Sequence, residues 1–317
     1  MRRSSWLRTA CVAGLISCAL VPVRAGAAEP FGVDSAAPSQ PAFSGTEQAV
    51  VARYWELGRV RPFLAGSLEA GYAYARPVFI AGFGRPFWQW LGVETYPLLS
   101  LRGLGHYVGV SGGVPGLTFR AGSRYFYPFS RTFLEPRSHY TRSDIDVLKG
   151  PRAEYQTFEG ELNATTRLWS GSAFGSILAQ RIQLVPEGYL LFEESLRVIA
   201  RPPWVFRGRF GYLLALGHAS AIRVGIAGDV IALPGRDELV IRGGLLGSVL
   251  VSADLEAQAS FIPVLLSPDS LGLSGGDFGQ LGVRFRWATG AQPDPMRLRR
   301  ATEQRALERR PRPQPLE

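Results

Sequence analysis

Along residues 61–287 apolar and polar positions alternate with a period of two. In WVFRGRFGYLLAL, Trp204, Phe206, Gly208, Phe210, Tyr212 and Leu214 share one face, while Arg207, Arg209 and Gly211 lie on the other. In FEGELNATTRL, Phe158, Gly160, Leu162, Ala164, Thr166 and Leu168 form one face and Glu159, Glu161, Asn163, Thr165 and Arg167 the other. Similar alternation recurs around 117–127, 222–230, 239–249, 255–261 and 279–287. Strand side chains point alternately to opposite faces, so each run predicts an amphipathic strand, and about ten such residues cross a bilayer at a tilt.

Gly, Pro, Ser and Asp clusters at 170–172, 201–203, 217–220, 234–237 and 252–254 punctuate the runs, so neighbouring strands are antiparallel hairpins. The predicted strands are 62–74, 87–94, 103–112, 117–127, 152–168, 173–182, 189–200, 204–216, 221–233, 238–251, 255–265 and 278–287. That is about twelve, within a range of about 10 to 14. One conflict stands. Counting back from a last strand that descends to the periplasm makes the 266–277 loop extracellular, as suits a longer loop, but puts the longest connection, 128–151, on the periplasmic side. A missed strand at 78–84 is the favoured resolution.

A soluble sandwich also alternates, so three further features select a membrane barrel. Many strands have spanning length, with no strand run reading as buried on both faces. Aromatics collect near strand ends (Tyr72, Tyr74, Phe87, Trp88, Trp90, Tyr125, Phe126, Tyr127, Trp204, Trp287), as interfacial girdles do. The last strand, FGQLGVRFRW, puts Leu281, Val283, Phe285 and Trp287 on one face and ends in an aromatic. It resembles the terminal strand of bacterial outer-membrane β-barrels, although residues 288–317 follow where many barrels stop. The resemblance is one of architecture, with no specific family. It implies an all-β, antiparallel up-and-down transmembrane barrel over 61–287, in contact with outer-membrane lipids and with the barrel assembly machinery.

The first residues change the picture of where this barrel resides. Arg2, Arg3 and Arg8 precede an apolar run and then Ala25, Gly26, Ala27 and Ala28, the layout of a cleavable signal peptide over 1–28. Leu15, Ile16, Ser17 and Cys18 offer the alternative of a lipoprotein signal, with lipidation at Cys18. The two cysteines, Cys11 and Cys18, both lie in this segment, so a chain cut after Ala27 or Ala28 has no thiol. The three histidines, His106, His139 and His218, share no metal-ligand spacing, and no cofactor is implied. Residues 29–60 read as a flexible lead, in which Ser44 to Glu47 resembles a capping box before a short helix; a first strand over 50–54 is the alternative.

Charge adds less than its total suggests. The net +9 is concentrated in the signal segment and in the basic, Pro-rich tail 288–317, where seven arginines after residue 291 stand against four acids. The middle is nearly balanced, which argues against a nucleic-acid partner. The tail reads either as a docking element for an acidic partner or as a solvated end.

The candidate chemistry lies on the polar faces: Arg120, Arg124, Glu159, Glu161, Arg167, Arg207, Arg209, Arg223, Asp229, Arg242, Glu256, Arg284 and Arg286. An Arg facing hydrocarbon costs about 2 to 4 kcal/mol at mid-bilayer, so these residues are expected to line the lumen. Nine arginines against four acids there predict a narrow anion-preferring channel for small solutes if water fills the lumen. If the charges pair across it, the barrel is a closed structural or interaction scaffold. The remaining alternative is a lipid-modifying enzyme. Gly109, Val110, Ser111, Gly112 and Gly113 match G-x-S-x-G with His106 upstream, but the sequence continues as a strand and not as the strand-to-helix turn that motif needs. Outer-membrane phospholipases use His, Ser and Asn near the membrane interface, and the single asparagine here, Asn163, falls on the polar face.

Overall fold

The computed structural model describes residues 59–71, 74–146, 151–216, 222–252, 254–277 and 281–289. The signal segment, residues 29–58 of the lead with the expected short helix or first strand, and residues 290–317 of the basic tail lie outside the described residues. Seven strands open the barrel wall: β1 (Arg61–Gly71), β2 (Tyr74–Arg85), β3 (Gln89–Ser100), β4 (Gly103–Val114), β5 (Leu117–Pro128), β6 (Tyr155–Leu168) and β7 (Gly171–Gln183). A small hairpin follows, β8 (Leu191–Glu193) and β9 (Val198–Ala200). The wall resumes with β10 (Trp204–Leu216), β11 (Ile222–Leu233), β12 (Glu238–Leu250), β13 (Leu255–Phe261), β14 (Val264–Leu266) and β15 (Gly282–Ala288). Each wall strand pairs antiparallel with the next, and β15 closes on β1 from Ala65↔Ala288 to Gly71↔Gly282. With β13 and β14 counted as one strand interrupted at Ile262 and Pro263, this is a closed antiparallel barrel of 12 strands.

The expected number is met, and eleven of the twelve expected strands are in the wall; β2 takes the place of the twelfth, expected at 189–200. β2 contains the candidate at 78–84 and extends beyond it; Pro77 interrupts it and both of its faces carry apolar residues, so its alternation is weak. Pro77 falls opposite Pro97 of β3, and the β2–β3 ladder is broken between Ala75↔Leu99 and Phe79↔Thr95. Neither proline has an N–H to give. Conversely, the expected strand at 189–200 is no part of the wall. Its two short strands pair with each other as a separate sheet, and all six of their residues are buried on both faces. Leu191, Phe192, Val198 and Ile199 form an apolar run without alternation, the mark of a segment wrapped in protein.

This substitution also resolves the loop conflict. Adding β2 upstream leaves the count back from β15 unchanged, whereas removing 189–200 from the wall shifts it by one. The connections 129–154, 184–203 and 267–281 then share one end of the barrel, while short turns such as 86–88, 115–116 and 169–170 lie at the other, beside the start of β1 and the end of β15. That is the usual division between long outer loops and short periplasmic turns.

Burial is inverted relative to a soluble protein. Leu64, Phe79, Leu91, Val110, Phe158, Phe210, Ile226, Leu245 and Phe285 are among many large apolar side chains exposed on the outer wall, while most of the described arginines and glutamates of the strands are buried inside. A wall apolar outward and charged inward is matched to lipid. Of the expected girdle aromatics, Tyr125, Trp204 and Trp287 are exposed, but Phe87, Trp90 and Phe126 are buried. Phe87 and Trp90 pack with Phe63, Ala65, Val78 and Ile80 across the interior at the periplasmic end. At the opposite end Leu191, Leu196, Val198 and Ala200 of the hairpin segment pack on Phe126, Tyr155, Leu178, Val205, Ile231 and Val240 of the wall. Fully burying each large apolar side chain contributes about 1.5–3 kcal/mol, so this contact seats the hairpin inside the barrel mouth.

The other two long loops close over the hairpin. Leu134, Tyr140 and Ile145 of the first loop meet Leu190, Phe192 and Ile199, with Leu271 of the third. Leu134 and Leu190 exchange backbone hydrogen bonds at 2.7 and 2.9 Å. A one-turn helix, α1 (Arg142–Ile145), is fixed by Thr141, whose backbone N–H and hydroxyl both donate to the Asp144 carboxylate at 2.7 Å.

Candidate functional site: the charged interior

The strand registers set opposite charges side by side. Glu69 of β1 lies directly across from Arg76 of β2 and Arg284 of β15, and Arg284 lies across from Glu256 of β13. The result is a rung of alternating sign over four adjacent strands. Glu69 accepts a hydrogen bond from Arg76 and another from Arg284 Nε at 2.7 Å. Glu256 lies 3.7 Å from Arg284 and 4.0 Å from Arg223. A second rung runs through Arg209, Asp229 and Arg242 on β10, β11 and β12. Arg209 grips Asp229 with two nitrogens, one of them at 2.5 Å, and also donates to Asp277 of the third loop at 3.0 Å.

Opposite these rungs, β5 and β6 carry a longer chain. Arg120 is the register partner of Glu161 and donates to it through Nε at 2.9 Å. It also lies 3.1 Å from Glu159, and Glu161 accepts from Arg207 at 2.7 Å. Arg124 bridges onward, 3.1 Å from Glu159 and 2.9 Å from Glu193 of the hairpin. Tyr96 and Tyr107 stack at 4.8 Å beside this chain; Arg120 donates to the Tyr96 hydroxyl at 3.2 Å and lies 5.2 Å over the Tyr107 ring.

Glu193 gathers further donors: Tyr155 Oη and Gln180 Nε2, each at 3.2 Å, Ser195 Oγ at 2.8 Å and the Leu196 N–H at 2.5 Å. A carboxylate buried among apolar side chains is stable only with such charge-assisted bonds.

Of the residues expected along the polar faces, Arg120, Arg124, Glu159, Glu161, Arg207, Arg209, Arg223, Asp229, Arg242, Glu256, Arg284 and Arg286 are buried in the interior. Arg167 shares their face but is exposed at the end of β6, beside the 169–170 turn. Arg286 lies 5.9 Å over the Phe87 ring. The sequence reading passed over Glu69, Arg76, Glu94, Glu193 and Asp277. Glu69 and Glu94 alternate correctly in β1 and β3 and were legible as inward positions; Arg76 lay in the missed strand and Glu193 in the misassigned one.

These additions remove the apparent arginine excess. The buried arginines Arg76, Arg120, Arg124, Arg131, Arg207, Arg209, Arg223, Arg242, Arg284 and Arg286 are matched by Glu69, Glu94, Glu159, Glu161, Glu193, Asp229, Glu256, Asp269 and Asp277 among the described residues. Ser111 is buried on the inner face of β4, paired across from Arg120, while His106 is exposed on the outer face at 3.2 Å from Thr95 Oγ1. The barrel wall separates the two. Asn163 is buried on the inner face of β6.

No protein-family model and no curated protein matches the sequence. Two similar solved structures are the NanC porin, at 8% identity and a TM-score of 0.32 over 72% of this chain and 97% of that one, and a loop L8 deletion mutant of OmpT, an outer membrane protein of Vibrio cholerae, at 8% identity and 0.32 over 71% and 97%. On its own geometry, twelve antiparallel strands closed into a ring with an apolar exterior and a charged interior, the chain has the fold of an outer-membrane β-barrel.

Proposed function

We propose that this protein resides in the bacterial outer membrane, exported through its signal segment, and stands closed at rest as a scaffold that presents its three-loop cap. The observation carrying this reading is the interior: Glu69, Glu193 and Asp229 are 0% exposed and Arg76 1%, and opposite charges pair along the strand registers. A water-filled lumen would leave such side chains wet. The near balance of buried arginines and carboxylates likewise supports a filled interior over an anion pore. Lipid surrounds the apolar exterior, and β15, whose outward face carries Val283, Phe285 and Trp287, is the strand suited to the assembly machinery. Planar-bilayer recording of the refolded protein tests the reading: no conductance steps are expected at any salt concentration, and steady conductance by the wild type overturns it.

A narrow channel for small solutes is favoured by a different observation. The hydroxyls of Ser111, Thr118, Thr157 and Ser176 are buried with no hydrogen-bond partner among the described residues. Buried hydroxyls are normally satisfied by protein or ordered water, and a file of waters along β4 to β7 would satisfy these. In this reading the hairpin withdraws to admit solute, and the same recordings would give intermittent rather than steady steps.

A further inference from the structure

We propose that the cap holds a binding site for a small organic carboxylate with an apolar body, between the β8–β9 hairpin and the wall. A cavity of about 360 Å³ opens there, with Arg197, Arg242, Ser267, Asp269, Val240 and Leu271 among its lining residues. That volume is within the range of small-molecule pockets, which are largely apolar with a few convergent polar groups.

The charge in this cavity sets the ligand's sign. Arg242 is buried, at 3% exposure, and one of its nitrogens donates to the Leu196 and Arg197 carbonyls at 2.6 and 3.1 Å. Its Nε is buried with no hydrogen-bond partner among the described residues, and its register partner Asp229 is gripped by Arg209. Arg197 donates to the Gly276 carbonyl at 2.7 Å and has no ion pair among the described residues. The one acid in the lining is already committed, since Asp269 accepts from Arg236 through both oxygens at 2.6 and 3.0 Å. Asp229, the register partner of Arg242, and Asp277 are both engaged by Arg209, so the buried Arg242 keeps a spare donor beside the half-buried Arg197, and an anion between them would complete the pairing that a buried charge needs.

The walls set the rest of the ligand. Valine, isoleucine and leucine side chains from β9, β12, β14 and the loop after Ser267 make up most of the remaining surface. Inorganic phosphate would leave these walls uncovered. A monocarboxylate with an aromatic or short aliphatic body would place its oxygens on Arg242 and Arg197 and its carbon on the walls. Such a ligand would bridge hairpin and wall, and the site stands whether or not the barrel conducts.

Calorimetric titration of the refolded full chain with benzoate, with benzamide as its uncharged analogue and inorganic phosphate as competitor, tests the site. Saturable one-to-one benzoate binding is expected, with benzamide weaker by roughly tenfold or more and phosphate a poor competitor. Arg242→Gln and, separately, Arg197→Gln should each weaken benzoate by about tenfold. Should Arg242→Gln not fold, Arg197→Gln and the benzamide comparison still decide. Absence of saturable benzoate binding to the folded wild type, equal binding of benzamide, unchanged affinity in the folded variants, or displacement by phosphate at matching concentration would each overturn the proposal.

Discussion

Arg124 of β5 and Glu193 of the inner hairpin, 69 residues apart in sequence, meet in the barrel interior with Nη2 donating to Oε1 at 2.9 Å. Through this contact the hairpin is bound to the wall's own charge chain, because Arg124 also lies 3.1 Å from Glu159. Apolar packing seats the hairpin, and Glu193 fixes its position. Removing one partner of a buried ion pair costs about 3–5 kcal/mol, since the other charge is left uncompensated. Glu193→Ala should therefore release the hairpin while the wall stays folded. Hydrogen exchange over 190–200 should rise by orders of magnitude with β5 and β6 still protected; a hairpin as protected as in the wild type would sink the role assigned to Glu193.

How much of this was readable beforehand depends on whether a segment obeys a single alternation. β6 and β10 do, so Glu159, Glu161, Arg207 and Arg209 were placed on the inner face from sequence. β2 does not, because Pro77 and apolar residues on both faces hide its one inward charge, Arg76. The hairpin does not either: its strands are short and buried all round, and a wall strand was the nearest pattern available. Pairing was out of reach altogether. Whether arginines line water or meet carboxylates depends on register, and a shift of one residue would have moved Glu69 away from both Arg76 and Arg284.

The Glu69 rung distinguishes charge matching from mere tolerance of charge. Glu69→Ala leaves Arg76 and Arg284 buried without the carboxylate between them and should destabilise the barrel by about 3–5 kcal/mol. Replacing all three together, as Glu69→Leu, Arg76→Met and Arg284→Met, should recover part of that loss, since the apolar trio carries no desolvation cost while Glu256, losing Arg284, keeps Arg223 at 4.0 Å. Urea unfolding from lipid vesicles reads both. A triple variant no more stable than Glu69→Ala would contradict this account of the rung.

Gly109 and Gly122 are direct partners on β4 and β5, and the Tyr107 hydroxyl lies over both. A Cβ at Gly109 would stand 2.4 Å from both that hydroxyl and the Ala121 carbonyl oxygen, and one at Gly122 2.6 Å from the hydroxyl and 2.4 Å from the Val108 carbonyl oxygen, so the two glycines let both the ring and the facing strand come close. Gly122→Ala should push the ring off its stack with Tyr96 and out from under the Arg120 guanidinium. Overpacking of this kind costs about 1–3 kcal/mol. Heat-dependent gel mobility should show a lowered unfolding temperature, little restored by adding Tyr107→Phe, because the Val108 carbonyl oxygen, at 2.4 Å from the new Cβ, stays in place. Full rescue by Tyr107→Phe would mean that the backbone yields freely and the hydroxyl alone forbids the side chain.

The cap should respond to acid, and its sign follows from Glu194. Burial pushes this carboxyl up from its ordinary 4.5, outweighing Arg131 at 3.0 Å and Arg102 at 3.7 Å. Between 4.5 and the raised value the folded cap binds more protons than the unfolded chain, so its stability falls as pH rises through that window and returns on acidification. Asp144 shifts the other way: hydrogen bonds from Thr141 hold its carboxyl below 3.8, so its contribution is present above that pH and is lost only as pH falls through the lowered value, outside the window of Glu194. Acidifying from neutrality toward 4.5 should therefore raise protection, measured against the intrinsic exchange rate at each pH, at the Leu134 and Leu190 amides, which join the two loops. Glu194→Gln should remove the dependence while keeping the raised protection. Lower protection on acidification, with the wall still intact, would show that the Arg131 ion pair and not burial governs this carboxyl.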